Sequence, residues 1–295
     1  MRYLLSPNRN KTNILITGSS GFIGRHLSDF LQERHNVFNL VRTKEAAKFV
    51  KNGIIVDLRK NNKIRSYFEE FKKKNDIHII IHLASRLASV NEIEDINVLY
   101  DNLKIAYSVV SIAKLLKPKK IINFSSMAVY PNQDGIYHER SEIRTSLNSE
   151  CLYGLSKFCS ENILDFLLRK EKIFISHLRI SQVYGEGMRQ DRIISMMIKE
   201  LKQKNYITVF GNGKRVSNFI KIEKVLDIVK FFIDNETNGI FNVGDENLSY
   251  LKLAKRVISQ YGNRKSKIIL TPDGSKAKFY LDTRRIEKMI TSQKI

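Results

Sequence analysis

A tyrosine and a lysine stand four residues apart in the segment YGLSK, as Tyr153 and Lys157. On a helix this spacing places both side chains on one face. A free phenol has a pKa of about 10 and is a poor base at neutral pH, but a neighbouring ammonium group favours the phenolate and lowers that pKa. We therefore expect general acid–base chemistry, in which Tyr153 passes a proton to or from a substrate hydroxyl group.

A glycine-rich segment near the start of the chain predicts a second part of the site. Gly18, Gly21 and Gly24 follow an apolar run and open an amphipathic stretch. In a strand–turn–helix unit, Gly18 would allow the tight turn, Gly21 would let a phosphate approach the backbone, and Gly24 would let helix and strand pack closely. Backbone N–H groups at such a helix start face outward, towards a pyrophosphate. The segment predicts a dinucleotide-binding turn.

The elements that would position these residues alternate along the chain. Short β-branched runs predict strands at 13–17, 37–42, 54–57, 79–84, 120–125 and 174–180, and amphipathic stretches predict helices at 22–34, 96–117 and 152–169. Strands that are apolar almost throughout are typical of a parallel sheet covered on both faces. We predict an α/β fold: a doubly wound parallel (Rossmann) sheet with a smaller C-terminal substrate-binding lobe. Residues 1–180 are assigned to the dinucleotide-binding domain, to which part of 215–240 returns, and residues 181–295 mainly to the lobe.

Composition restricts the classes of function. The 295-residue chain has two cysteines, Cys151 and Cys159, which cannot form a disulfide framework and favour a cytoplasmic location. No window reaches the roughly 18 consecutive apolar residues of a membrane span, and residues 1–12 lack a signal peptide's apolar stretch. The net charge of +21 is spread along the chain, so we expect no nucleic acid and no membrane as partner, but attraction of nucleotides. No cluster has metal-ligand spacing, and we predict no metal.

The motifs together resemble those of the extended short-chain dehydrogenases that act on nucleotide sugars, the epimerase, dehydratase and reductase family. TGSSGFIG at 17–24 has the family's GxxGxxG spacing, FSSMAVY at 124–130 matches the strand with its catalytic serine, and YGLSK at 153–157 is its Tyr-x-x-x-Lys pair. The likeness continues through VDLR at 56–59, IHLAS at 81–85, LRISQVYGEG at 178–187, GNGKRVSNFIKIEKV at 211–225, FNVGDENLS at 241–249 and YLDTRRIEKM at 280–289. It covers nearly the whole chain.

The resemblance implies catalytic roles for Ser126, Tyr153 and Lys157. Ser126 would hydrogen-bond the reacting sugar oxygen, and Lys157 would also hold the nicotinamide ribose. The residues expected to contact the cofactor follow the strand ends: Gly18, Ser20, Gly21, Phe22, Ile23, Gly24, Arg42, Asp57, Leu58, Leu83, Ala84, Ser85, Tyr153, Lys157 and Ile180. The implied partners are a nucleotide-diphosphate sugar and a second copy of the chain, in a homodimer.

The resemblance also places substrate contacts in and near the lobe. Arg215 matches an arginine that reaches the diphosphate, and Arg284 or Arg285 matches a second one. Gln182 stands where the family has asparagine, and Ser126 would contact the sugar. Arg86 would either contact the sugar or a cofactor phosphate, or form a loop salt bridge.

Three positions bear on the reaction. Met127 and Ala128 stand where family dehydratases have an Asp-Glu pair, and family decarboxylases a glutamate, and neither side chain can transfer a proton. Arg42 replaces the acid expected after the second strand, which favours NADP over NAD. We predict an NADP-dependent reductase of nucleotide-linked 4-keto sugars for surface polysaccharides. The alternatives are a 4-epimerase with tightly bound NAD and a non-catalytic nucleotide-sensing protein.

Overall fold

The protein is described by a computed structural model, which covers residues 11–60 and 64–292. A seven-stranded parallel sheet forms its centre, in the order β11-β7-β5-β4-β1-β2-β3. The strands are β1 Asn13–Thr17, β2 Asn36–Val41, β3 Gly53–Ile55, β4 Ile79–His82, β5 Lys120–Ser126, β7 Phe174–Ile180 and β11 Gly239–Val243. Isoleucine, leucine and valine are buried on both faces of these strands, which explains their almost continuous apolar sequence.

Helices cover both faces of the sheet. One face packs against α1 Phe22–Leu31, α7 Ile222–Asp234 and α9 Arg284–Ser292, and the other against α3 Ile64–Lys72, α4 Asn97–Leu116 and α5 Cys151–Leu168. The short helix α2, Lys44–Ala47, follows β2. The predicted α/β doubly wound fold is therefore confirmed.

A smaller lobe is built mainly from the C-terminal part of the chain. It contains α6 Ile193–Lys204 and α8 Tyr250–Tyr261, with β8 Gln182–Tyr184, β9 Tyr206–Val209, β10 Val216–Lys221, β12 Glu246–Ser249 and β13 Lys267–Leu270. A short pair, β6 Gly135–Tyr137 and β14 Phe279–Leu281, connects it to the sheet. The apolar core of the lobe is separate from the two cores that flank the sheet. The division of the chain into two domains at residue 180 stays a prediction. Residues 1–10, 61–63 and 293–295, which that prediction includes, lie outside the part of the chain that the structure describes.

A buried polar network connects helix α5 to strands from later in the chain. Glu161 of α5 accepts two hydrogen bonds from Arg179 of β7, at 2.9 and 2.7 Å. Arg179 also donates to the hydroxyl of Tyr130, and that hydroxyl donates to Asn242 of β11. Since every member of the network is buried, these hydrogen bonds define the position of α5 against the sheet.

Candidate active site

The glycine turn between β1 and α1 has the backbone geometry of a pyrophosphate site. Gly18 has φ +72°, and a β-carbon there would lie 2.7 Å from the backbone of Ala84. A β-carbon on Gly24 would lie 2.4 Å from the Gly18 carbonyl oxygen, so only glycine lets α1 approach the turn this closely. Gly21 caps α1 with extended backbone, and the first N–H groups of a helix have no partner inside it. The turn therefore fits a dinucleotide pyrophosphate.

A cavity of about 760 Å³ extends from this turn to the C-terminal lobe. Its walls contain every residue that we predicted to contact the cofactor. They also contain four predicted substrate contacts, Arg86, Ser126, Gln182 and Arg215. The structure thus places these residues around one space, and their individual roles stay predictions.

Tyr153 lies in the first turn of α5, at the wall of the cavity. Burial raises the pKa of Tyr153 well above its usual value, and the Glu150 carboxylate raises it further, whereas Arg192 and hydrogen bonds with Ser85 and Ser126 lower it. The pKa of Tyr153 is thus raised in the protein alone, whereas the sequence led us to expect a lowered value, because desolvation of the phenolate outweighs the neighbouring charges. Tyr153 is therefore protonated at neutral pH and can donate a proton.

Lys157 lies one turn further along α5. Its Nζ donates to the Phe124 carbonyl oxygen at 2.8 Å and lies 5.7 Å from the centre of the Tyr153 ring. Burial lowers the pKa of Lys157 to about 8, and the carboxylate of Glu161 opposes this. Lys157 is thus charged at neutral pH and loses its charge in mildly alkaline solution.

The turn after β5 sets the distance between Ser126 and the catalytic helix. The Ser126 hydroxyl accepts a hydrogen bond from the Ala128 N–H at 3.1 Å and starts the short turn Met127–Val129. A β-carbon on Gly154 would lie 2.2 Å from the Ala128 carbonyl oxygen. Gly154 therefore lets α5 pack against this turn and brings Tyr153 to Ser126. Met127 and Ala128 also line the cavity.

Arg215 has a free hydrogen-bond donor at the lobe end of the cavity. Its guanidinium carbon lies 5.0 Å from the centre of the Tyr250 ring. The Nε atom of Arg215 is buried and has no hydrogen-bond partner within the described residues. Leaving such a group unpaired is unfavourable, so an acceptor on a bound ligand would stabilise it. Nearby, Gln182 Nε2 donates to the Ser217 hydroxyl at 2.9 Å.

Two other predicted substrate arginines are engaged in ion pairs. The Arg86 guanidinium lies 2.8 Å from Glu92 and 2.7 Å from Asp95, so the loop salt bridge that the sequence left open is present. Arg284 pairs with Asp282 on the surface and does not line the cavity. The structure does not place Arg284 at the substrate end, because α9 returns to the central sheet.

Arg285, the other candidate for the second diphosphate contact, is also absent from the cavity wall. Its Nη1 donates to the carbonyl oxygen of Ile240 at 2.8 Å. The guanidinium carbon lies 4.6 Å from the centre of the Phe241 ring. Arg285 thus packs against β11 at the edge of the sheet.

The opposite end of the cavity has two different charged groups. Asp57 is held by Arg59 at 2.7 Å, and hydrogen bonding to Arg59 lowers the pKa of Asp57. Arg42 follows β2 and is exposed. Within the described residues no ion pair involves Arg42. Its guanidinium is thus available to an anion at the mouth of the cavity.

Sequence reasoning missed an ion pair beside Tyr153. Glu150 Oε1 and Arg192 Nη1 are 3.3 Å apart, and both residues line the cavity. The three-residue spacing could have indicated that Glu150 lies near Tyr153. Glu150 directly precedes α5, and residues three apart at the start of a helix lie on the same side of it. Arg192 is 42 residues away along the chain, and no local motif marks it.

Residues 11–60 and 64–292 contain neither a metal cluster nor a membrane-spanning helix. No group of three or more His, Cys, Asp or Glu side chains there has the geometry to hold a metal ion. In the same ranges, every helix is too short or too polar to cross a membrane.

Comparison with protein families matches residues 14–244 to the model described as the NAD dependent epimerase/dehydratase family. Among curated proteins, a dTDP-D-glucose 4,6-dehydratase of Dictyostelium discoideum is 26% identical over 83% of this chain and 61% of its own length. The chain thus spans less than two thirds of that relative. A putative UDP-glucose 4-epimerase of Methanocaldococcus jannaschii is 27% identical over 94% of this chain and 92% of its own.

Solved structures have the same fold. A UDP-N-acetylglucosamine 4-epimerase from Methanobrevibacter ruminantium superposes with a TM-score of 0.79 at 18% identity, covering 95% of this chain and 92% of that one. An NAD-dependent NDP-hexosamine 5,6-dehydratase of tunicamycin biosynthesis gives a TM-score of 0.78 at 20% identity, covering 95% and 91%. At these identities the likeness shows the fold alone.

Proposed function

Because the chain belongs to the NAD dependent epimerase/dehydratase family, we propose that it is a nicotinamide-dependent oxidoreductase of nucleotide-diphosphate sugars. The observation that supports this most directly is the meeting of three hydroxyl groups and an amine in one cavity. Ser85, Ser126 and Tyr153 line the cavity together, and Lys157 Nζ lies 5.7 Å from the centre of the Tyr153 ring. This group stands between the glycine turn and Arg215, where the two ends of a bound cofactor and substrate would meet.

The residues divide into those that hold the cofactor and those that move a proton. The glycine turn would bind the pyrophosphate, and Lys157 the nicotinamide ribose. The bound dinucleotide supplies hydride exchange at a sugar carbon. Tyr153 exchanges a proton with the sugar oxygen, which Ser126 orients by a hydrogen bond.

We propose net reduction of a 4-keto sugar as the reaction, in surface-polysaccharide biosynthesis. The C4 carbon accepts hydride and its oxygen accepts the proton of Tyr153, so the carbonyl becomes a hydroxyl group. A tyrosine with a raised pKa is protonated at neutral pH and suits this direction. Met127 and Ala128 cannot transfer the further protons that loss of water requires, which disfavours dehydration.

The proposed cofactor is NADP(H). Arg42 is exposed after β2, lines the cavity, and can bind a phosphate by two parallel hydrogen bonds. An acid at this position would repel the 2′-phosphate of NADP. Arg42→Glu should therefore weaken NADPH binding much more than NADH binding, and equal weakening of both would contradict this assignment.

A 4-epimerase with tightly bound NAD is the second candidate. Some curated relatives and solved neighbours are named as epimerases, and other neighbours hold NAD. Purified epimerase should retain its cofactor and interconvert two sugars without consuming it. A non-catalytic nucleotide-sensing protein would bind the dinucleotide and turn over nothing.

The assembly and location are also proposals. The outer faces of α4 and α5 expose Tyr100, Tyr107 and Phe166. Contact with a second copy of the chain would bury these rings, which supports a homodimer formed through the two helices. The scarcity of cysteine supports a cytoplasmic location.

One screen tests the proposed reaction. UDP-, dTDP-, GDP- and CDP-linked 4-keto sugars are incubated with NADPH or NADH, and oxidation of the reduced cofactor is followed by absorbance. We expect stoichiometric consumption of NADPH with one nucleotide class, abolished in Tyr153→Phe. Product formation without net consumption would favour the epimerase, and no reaction with any sugar in either direction would refute both enzymes.

A further inference from the structure

The ion pair of Glu150 and Arg192 joins the two parts of the molecule beside the proton donor. Glu150 is the residue before α5, which packs on the sheet, and Arg192 is the residue before α6, which belongs to the lobe. Oε1 of Glu150 lies 3.3 Å from Nη1 of Arg192. Each side chain is a little over one third exposed, and both line the cavity with Tyr153.

The surroundings of Tyr153 contain few charges. The groups that face it from the elements packed around it are Ser85 after β4, Ser126 of β5, Lys157 of α5, Glu150 before α5 and Arg192 before α6. His82 of β4 is buried and hydrogen-bonded to Thr17, and burial lowers the pKa of His82 to about 3, so it adds no charge at neutral pH. Among the described residues, Glu150 and Arg192 are the charged groups that act most on the hydroxyl. Arg86, Arg189 and Asp191 also line the cavity but are paired with other groups.

We infer that the Glu150–Arg192 ion pair is a positioning element that balances the charge around the Tyr153 hydroxyl and so controls how readily that group gives up its proton. This inference rests on the proposed function, because it assumes that Tyr153 is the proton donor. Glu150 and Arg192 need not touch the reacting atoms. They act through Tyr153 by their charges and by holding the lobe against the start of α5.

The two members of the pair act on Tyr153 in opposite directions. The Glu150 carboxylate disfavours the phenolate, and the Arg192 guanidinium favours it. Neutralising Glu150 should therefore lower the pKa of Tyr153, and neutralising Arg192 should raise it. A purely structural ion pair predicts no such opposition, since loss of either partner breaks the same contact.

The experiment follows ionisation of Tyr153 in the complex with oxidised dinucleotide, NADP⁺ or NAD⁺. Tyrosine labelled with ¹³C at Cζ is titrated by NMR, and the Tyr153→Phe spectrum identifies the signal. The variants are Glu150→Gln, Arg192→Gln and the double variant. Asp245→Asn is the matched control, because Asp245 forms a partly exposed ion pair with Lys224 and does not line the cavity.

We expect the titration midpoint to fall by about 1 pH unit, a tenfold change in ionisation constant, in Glu150→Gln and to rise in Arg192→Gln. The double variant should return close to wild type, and Asp245→Asn should stay there. Three results would overturn the inference. They are equal midpoints in all variants, a shift of the same sign in both single variants, and no ionisation of Tyr153 in Glu150→Gln before the protein unfolds. Failure of any dinucleotide complex to form would refute the proposed function as well, whereas a normal complex with an unmoved midpoint would refute only the inference.

Discussion

Replacing Gly154 by alanine should separate catalysis from cofactor binding. The new β-carbon would lie 2.2 Å from the Ala128 carbonyl oxygen, and β-carbon contacts below 3.0 Å are essentially never observed. The difference, 3.0 − 2.2, requires that α5 and the turn Met127–Val129 move apart by at least 0.8 Å. Tyr153 lies on one side of this contact and Ser126 on the other.

Two effects oppose each other in this variant. Alanine favours a helix over glycine by about 1 kcal/mol, which would stabilise α5. A displacement of about 1 Å between catalytic groups can lower turnover by about 100-fold. The clash is with backbone atoms, which cannot rotate away, so we expect the loss of alignment to dominate.

The assay measures kcat for the preferred nucleotide sugar, the affinity for dinucleotide and the melting temperature. Gly154→Ala should lower kcat by about 100-fold and change dinucleotide affinity much less, since most of the predicted cofactor contacts, the glycine turn included, are on elements other than α5. Asn162→Ala, at an exposed position of the same helix, is the control and should keep wild-type turnover. Normal kcat in Gly154→Ala would refute the reasoning about this contact.

Three further predictions follow from the same site. Tyr153→Phe should lower turnover by about 10²–10⁴-fold, while dinucleotide affinity measured by calorimetry stays within a few-fold, and unchanged turnover would remove Tyr153 from the mechanism. Glu161→Gln leaves the Arg179 guanidinium buried without its counter-charge and should lower the free energy of unfolding in urea by about 3–5 kcal/mol. The exposed Asp234→Asn, which also breaks an ion pair, should lower it by less than about 1 kcal/mol, and similar losses in both would contradict the burial argument. Burial lowers the pKa of Lys157 to about 8, against 10.5 for an ordinary lysine. Between these two pH values the unfolded chain binds more protons than the folded protein, so the free energy of unfolding rises with pH. Lys157→Met should therefore unfold at a higher temperature than wild type at pH 7, with a gap that narrows as pH rises above 8, and a constant gap would show that Lys157 is not the cause.

Local motifs predicted most of the site from the sequence. The glycine spacing identified Gly18, whose positive φ forms the tight turn, and Gly24, which packs against the backbone of Gly18 and Ser19 within that turn. The pair Tyr153 and Lys157 depends only on helical periodicity. These features need no knowledge of distant contacts, and the structure places them together.

Features that depend on distant contacts were not predicted or, for the pKa of Tyr153, were predicted with the opposite sign. The raised pKa of Tyr153 comes from burial by several elements, which spacing along α5 does not reveal. Arg86 was left between two interpretations because its partners, Glu92 and Asp95, lie in an irregular loop. The strand predicted at 79–84 ends at His82. The reason is that the Ala84 N–H donates to the side-chain hydroxyl of Thr17 and not to a backbone carbonyl of β1.

The buried network behind α5 also has a consequence for how the molecule is made. Tyr130 reaches Asn242 across 112 positions of the chain, so the network acquires its last member only when β11 has left the ribosome. A nascent chain of about 180 residues would already contain Ser126, Tyr153, Lys157 and the Glu161–Arg179 pair, yet Tyr130 would lack its acceptor on β11. Fragments cut at the apparent lobe boundary should consequently fold poorly, and the two lobes are better regarded as one cooperative unit than as exchangeable modules.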